Sequence, residues 1–271
     1  MSAGVRRRRQ VGLYLAATLL ALWVIVPMYL ITLLAFRPPA DVYRFPQSLL
    51  PTNLSLETMR FFLGYAGLLE ALWRSLAVAA ITLVLALVIG TPAGYALARF
   101  AFRGRGAYRL VILSTRAFPV VILSIPLAVF FLRVGLDDTI WSVAAVHTAL
   151  ALPFTVLITA AVFVSVPPEY EEAAQTMGCT AGGAFARVVL PHALPGLVAA
   201  AIFTFEVSWN EVFAATLLTV EHQTLPALVF TTATESPLPF RFAAGWFLLA
   251  PSLLFILVVR KYLLGLGGVE R

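Results

Sequence analysis

Two carboxylates, Glu206 and Glu211, interrupt a long apolar run near residues 195–220 and stand beside Trp209 and Asn210. Carboxylate, amide and indole are the side-chain set of sugar recognition, in which hydrogen bonds to hydroxyls are made beside an aromatic plate. Asn210 follows Glu206 by four positions, so on a helix the two share a face with Trp209 flanking it. A charge at the centre of an apolar span costs about 2.5–3.5 kcal/mol on insertion scales, so both acids need a partner, a proton or water. The competing reading of these four residues is a bond across to a partner subunit. Arg116 and His147 also fall inside apolar runs, where packing or an interface accounts for them better than solute contact. Catalysis fits poorly: Glu206, Glu211, His147 and His192 form no His-Glu-x-x-His, there is no Gly-x-Ser-x-Gly, and no aspartates pair within the runs. Neither catalytic residues nor a metal site is expected, and the single Cys179 has no internal disulfide partner.

The elements that carry these groups are set by composition. Of 271 residues, 61% are hydrophobic and 12% charged, against roughly 45–50% and 25% in a soluble domain. The chain is therefore expected to lie in lipid. Its formal charge of +6 sits between apolar runs, where membrane topology explains it and nucleic acid is not implied. Crossing a bilayer takes about 20 helical residues. Runs of that scale lie near residues 11–36, 75–98, 109–132, 139–164, 195–220 and 242–260. Each is continuously apolar instead of alternating, which predicts helices: an all-α, polytopic bundle of six transmembrane helices. The first run is too long for a signal-peptide core of about 7–15 residues and reads as an uncleaved span. Gly90 and Gly94 form a small-xxx-small face for close helix approach, with Pro92 between them. Pro92, Pro126, Pro153 and Pro251 are candidate bends.

Basic residues orient the bundle. Arg6 to Arg9, then Arg99, Arg103, Arg105 and Arg109, then Arg260 and Lys261, cluster at alternate span ends, which places both termini in the cytoplasm. The loop near 221–240 holds Glu221 and Glu235, and the segment 37–73, with Pro38, Pro39, Pro46 and Pro51, reads as extended cover outside. One inside segment breaks the charge bias: residues 165–192 carry Glu169, Glu171 and Glu172 against Arg187 alone. Such an acidic exception calls for a partner. Pro168 suits a first helical turn, and acids there oppose the helix dipole, so a short helix is predicted from Pro168. Gly178 can take positive φ and end it. A second short helix is predicted over 184–190, closed by Pro191. No fixed-period repeat or low-complexity tract divides the chain, so residues 1–271 read as one membrane domain.

Within that segment, Glu172-Ala173-Ala174, three residues, Gly178, nine residues, Val188, one residue and Leu190-Pro191 resemble the EAA signature of ABC importer permeases. The sequence departs from it at Met177, where aspartate is common, at Val188, where isoleucine is usual, and at His192, where leucine is common. Gly94-Tyr95-Ala96-Leu97-Ala98-Arg99 with Gly104, the turn Gly135-Leu136-Asp137-Asp138-Thr139, and Ser208-Trp209-Asn210-Glu211 extend the resemblance over nearly the whole chain. They are similar to carbohydrate-importer permeases of the maltose and trehalose type, in particular the smaller, MalG-like subunit. The resemblance implies a type I importer fold in the bacterial cytoplasmic membrane. It makes Glu172, Ala173, Ala174, Gly178, Val188, Leu190 and Pro191 an ATPase-coupling element. It also implies a MalF-like second permease, an ATPase dimer carrying ATP and Mg, an extracytoplasmic solute-binding protein, and a sugar such as trehalose or maltose as cargo. A polyol or glycerol phosphate is the alternative cargo. In maltose-type relatives the C-terminal tail, here with Gly265, Gly267 and Gly268, reaches toward the ATPase. This chain has no Walker loop of its own, since its only lysine, Lys261, follows Arg260. A channel or proton-coupled carrier would account for the buried acids but not for residues 165–192.

Overall fold

The structure, a computed structural model, describes residues 3–233 and 235–264, which are helical with connecting turns and contain no strand. The tail with Gly265, Gly267 and Gly268 lies outside the described residues. In chain order the helices are α1 (Ala3–Ala35), α2 (Glu57–Leu63), α3 (Leu68–Arg99), α4 (Arg105–Ser114), α5 (Val120–Arg133), α6 (Ile140–Ser165), α7 (Pro168–Thr176), α8 (Ala181–Ala184), α9 (Leu190–Trp209), α10 (Phe213–Leu218), α11 (Leu225–Ala233) and α12 (Leu238–Leu264). Five of them, with α8 and α9 read as one run, are long and apolar enough to cross a membrane. A bent pair, Arg105–Ala117 with Val120–Arg133, passes the same test together as the sixth.

That pair covers the expected third span over 109–132, and its halves meet at 87°. The physical cause is Pro119. Proline disfavours helical backbone at the residue before it, and Phe118 is extended at φ −80°, ψ 120°. The other interior prolines, Pro27, Pro92, Pro126, Pro153, Pro195 and Pro251, lie within continuous helices. Lipid-embedded helices tolerate them because neighbouring helices and side chains satisfy the freed carbonyls. The fifth span is also shifted: its helical run starts at Ala181 and stops at Trp209, short of the expected 220.

The chain forms two compact units, one of residues up to Leu68 with Thr232–Leu249, the other of Leu69–Thr231 with residues from Ala250 onward. In the first, the segment after α1 is organised by the buried Arg37. Its guanidinium donates to Gln47 Oε1 at 2.6 Å and to the carbonyls of Leu50 and Ser48. Gln47 in turn donates to Val42 O at 2.7 Å. Phe62, fully buried, packs on Phe240 and Phe247 at 4.9 and 5.1 Å between ring centres.

In the second unit α6 is the central helix. Its threonines meet two neighbours: Thr159 Oγ1 donates to Gly90 O of α3 at 3.0 Å, and Thr155 Oγ1 lies 2.9 Å from Thr204 Oγ1 of α9. The close approach requires glycine. A Cβ at Gly94 would stand 2.0 Å from Thr159 Oγ1 and 2.8 Å from Ala160 N. The expected small-residue face of α3 is thus the α3–α6 contact. In the first unit, Trp23 and Leu20 of α1 are 82% and 68% exposed in the isolated chain.

Candidate functional site

The acidic segment folds as a helical hairpin. Pro168 sits in the first turn of α7, with Glu169 and Glu171 beside the helix N-terminus where acids are favoured. The helix ends in a Schellman turn: Cys179 N donates to Ala174 O at 3.0 Å and Gly178 N to Gln175 O at 2.9 Å. Gly178 takes φ +95°, which glycine alone adopts without strain. Thr180 then caps α8, accepting from Gly183 N at 3.1 Å.

The return limb differs from the predicted short helix over 184–190. A π-helical turn, Phe185–Val189, joins α8 to α9, and Pro191 lies in the first turn of α9. Pro191 therefore does not close a short helix: the helical run continues through it from Ala181 to Trp209, with the π-helical turn immediately before it. Val189 and Ala193 are buried with Phe163, Val166 and Leu197, which seats the hairpin on α6 and α9. His192 lies 5.2 Å from the Tyr170 ring.

The signature residues divide by orientation. Glu172, Ala173, Gly178 and Pro191 are exposed, Val188 and Leu190 half-buried, and Ala174 buried. So one alanine faces outward with the glutamate while the other packs inward. Glu171, which the signature does not include, turns toward α3: its side chain is 12% exposed and pairs with Arg99 at 3.4 Å. Sequence reasoning misses this pairing. The signal available is Tyr95 and Arg99, one turn apart at the basic end of α3.

Glu206 and Asn210 meet, as their four-residue spacing predicts. Helix α9 stops at Trp209, and Asn210 begins the break before α10. Asn210 Nδ2 donates to Glu206 Oε2 at 2.9 Å, and Glu206 Oε1 is buried with no hydrogen-bond partner among the described residues. Glu211 caps α10, accepting from Ala214 N at 3.1 Å and Ala215 N at 3.2 Å. His147 Nε2 is 3.2 Å from Glu211 Oε2, and its Nδ1 is 2.9 Å from Ser208 Oγ. Glu206, Asn210 and Glu211 line a cavity of about 980 Å³ that is otherwise mostly apolar, with Arg116, Tyr108 and Thr115 also on its wall. Trp209 is not on that wall: it is buried and stacked on Phe205 at 5.7 Å. The expected aromatic plate beside Glu206 is therefore not supplied by Trp209. Arg116 donates to Leu150 O at 2.7 Å and lies 4.5 Å over the Phe154 ring.

At the loop between α5 and α6, Asp138 sits at φ +51°. Its carboxylate accepts from Val220 N at 2.8 Å and His222 N at 3.1 Å, and lies 2.8 Å from His222 Nδ1. Burial pushes this carboxyl's pKa up, but the His222 and Val220 hydrogen bonds outweigh it, so the pKa is held below the ordinary value. Among the described residues no group of His, Cys, Asp and Glu is arranged to hold a metal ion.

The second unit thus combines a bent apolar helix pair, a cavity lined by Glu206, Asn210 and Glu211, and a short acidic hairpin. Residues 90–262 match the family described as binding-protein-dependent transport system inner membrane component, and the chain belongs to that family. It is a multi-pass inner-membrane protein and the permease component of an ABC importer, whose ATP hydrolysis falls to a separate subunit. It is 31% identical over 250 residues to the trehalose transport system permease protein SugB of Mycobacterium tuberculosis, covering 90% of each chain. It is 28% identical over 261 residues to the diacetylchitobiose uptake system permease protein DasC of Streptomyces coelicolor, covering 94% of this chain and 95% of that protein. In fold it is similar to a chain of a bacterial ABC transporter that imports the acidic polysaccharide alginate. There the TM-score is 0.75 at 21% identity, over 97% of this chain and 98% of that one. A chain of the MetNI methionine ABC transporter matches 79% of this chain at TM-score 0.62.

Proposed function

We propose that this chain, acting as one permease domain over residues 1–271, translocates a sugar by alternating access, with a disaccharide such as trehalose or maltose as the leading cargo. The trehalose and diacetylchitobiose relatives support the sugar class. The cavity residues Glu206, Asn210 and Glu211 supply hydrogen-bonding groups suited to hydroxyls. Its partners are a MalF-like second permease, an ATPase dimer that carries ATP and Mg, and an extracytoplasmic solute-binding protein. Both termini and the 165–192 hairpin face the cytoplasm, as the arginine clusters indicate.

Energy enters through the hairpin, with Glu172, Ala173, Ala174, Gly178, Val188, Leu190 and Pro191 as its coupling residues. The observation that carries this reading is the Schellman turn at Gly178. It fixes α7 so that Glu172 and Ala173 face outward while Ala174 anchors the helix from inside. A short helix presented in this way suits docking in a groove of a partner. Glu172→Lys reverses a charge on the outward face. Gly178→Val puts a β-branched residue at φ +95°, a severe outlier. Neither alters an apolar span, so both variants should insert and pair with the second permease. The ATPase of the reconstituted complex is measured with and without loaded binding protein. Loss of stimulation and of transport in both variants is expected; full stimulation and transport in both would sink the reading.

A further inference from the structure

The contact between Glu171 and α3 is built from more than one ion pair. Tyr95 and Arg99 lie four residues apart on α3 and so share a face. The Tyr95 hydroxyl donates to Glu171 Oε1. Arg99 Nε is 3.4 Å from Glu171 Oε2. The same guanidinium donates through Nη2 to Val166 O at 2.9 Å, in the linker between α6 and α7. The Tyr95 ring packs on Phe185 at 4.6 Å and on Phe163 at 5.4 Å. Arg99 therefore grips the linker before α7 and the first turn of α7 at once, and Tyr95 touches both limbs of the hairpin's seat.

An apolar contact would hold α7 to α3 as firmly as a partly dehydrated ion pair, because desolvation offsets much of the Coulomb attraction. What the polar arrangement adds is direction: the hydrogen bonds of Tyr95 to Glu171 and of Arg99 to Val166 fix orientation as well as separation, while Arg99 Nε meets Glu171 as an ion pair without a hydrogen bond. Arg99 and Glu171 are 13% and 12% exposed, so they lie largely beyond the solvent screening that makes surface pairs weak. Glu172, the next residue, faces outward. Adjacent carboxylates thus divide the work, one toward the partner and one toward the second span.

We propose that Glu171, held by Arg99 and Tyr95, is the joint through which displacement of the hairpin moves α3, making Glu171 a positioning residue for transport. This rests on the coupling role of the hairpin. With α3 packed on α6 through Gly90 and Gly94, a push on α7 reaches the helices that line the cavity as a rigid-body movement.

The test uses the whole complex in proteoliposomes, with ATPase, second permease and binding protein, in a Cys179→Ser background carrying Asn210→Cys on the cavity wall. Maleimide labelling of that cysteine is timed with and without ATP and vanadate. The parent complex should show a nucleotide-dependent change in labelling rate. Glu171→Gln and Arg99→Gln should each shrink that change about tenfold, within the range of site-to-site coupling energies. Residues that act as one joint lose no more together than singly, so the double variant should match either single. Arg99→Lys, which keeps the charge, should retain most of the response, whereas a role in packing alone would not separate lysine from glutamine. A full response in Glu171→Gln, with Glu172→Lys still defective in ATPase stimulation, overturns the joint and leaves the hairpin reading standing. Full function in both variants overturns both. Additive losses in the double variant also overturn the joint.

Discussion

Gly94→Ala should cost more than the addition of one methyl group suggests. The new Cβ would lie 2.0 Å from Thr159 Oγ1, 2.9 Å from Thr159 Cβ and 2.8 Å from Ala160 N. Thr159 can rotate its hydroxyl away, but that surrenders its hydrogen bond to Gly90 O. The Ala160 nitrogen is backbone and moves only if α3 and α6 separate. Overpacking of this kind costs about 1–3 kcal/mol and a lost interhelical bond in lipid about 0.6 kcal/mol, for a total of roughly 2–4 kcal/mol. Gly106→Ala in α4 is the control, because a Cβ added there would meet no atom within 4 Å. Gly106 lies in the first turn of α4, so alanine there adds a methyl group without a clash. The assay is the thermal midpoint of the detergent-solubilised complex followed by size-exclusion fluorescence. Gly94→Ala should melt well below the parent and Gly106→Ala at or above it. Adding Thr159→Ala to Gly94→Ala should recover only part of the loss, because the clash with backbone remains. Equal midpoints for the two glycine variants would refute the close packing of α3 on α6.

Three further outcomes follow from the geometry. Asp138→Asn should lower the thermal midpoint at neutral pH. Because the folded pKa of Asp138 is depressed, the carboxylate's contribution is present above the unfolded value of about 3.9 and is lost as pH falls through the lower folded value. The gap between parent and variant should therefore persist in mild acid and close only below that range; a gap that closes near pH 6 contradicts the assignment. In a Cys179→Ser background, a membrane-impermeant thiol reagent applied from outside should modify Ser236→Cys and miss Gly104→Cys and Gly182→Cys, and outside labelling at Gly182 would reverse the topology. Glu211→Gln removes the charge beside the buried His147 while keeping an oxygen for the α10 cap. It should weaken the complex less than Glu211→Ala, by the cost of uncapping, about 1 kcal/mol, and equal midpoints would count against the capping role.

The parts legible in the sequence are those set by one-dimensional chemistry. Continuous apolar runs mark the spans because lipid demands them, and Pro168 and Gly178 mark the limits of α7 because each imposes a backbone state. Hydropathy does not register the 87° bend, since apolar residues continue on both sides of it; Phe118-Pro119 is the local sign. It likewise runs past Trp209, although Asn210 and Glu211 mark the break with groups able to cap a new helix. Pro191 misleads because a proline after an apolar stretch suits a helix end, whereas here the helical run continues through it behind a π-helical turn. Side-chain partners are least legible. Whether Glu171 meets Arg99, or Trp209 faces the cavity, depends on the rotational setting of helices against one another, which spacing along one helix does not define.

The coupling of the hairpin to a separate ATPase is tested most directly by cross-linking at its outward face. Ala173→Cys in the Cys179→Ser background, modified with benzophenone maleimide and irradiated in the assembled complex, places the reactive group beside Glu172 on the exposed side of α7. A covalent adduct between this chain and the ATPase subunit is expected, with a yield that changes when ATP and vanadate are added. Adducts confined to lipid or to the second permease, with none to the ATPase, would contradict the coupling role.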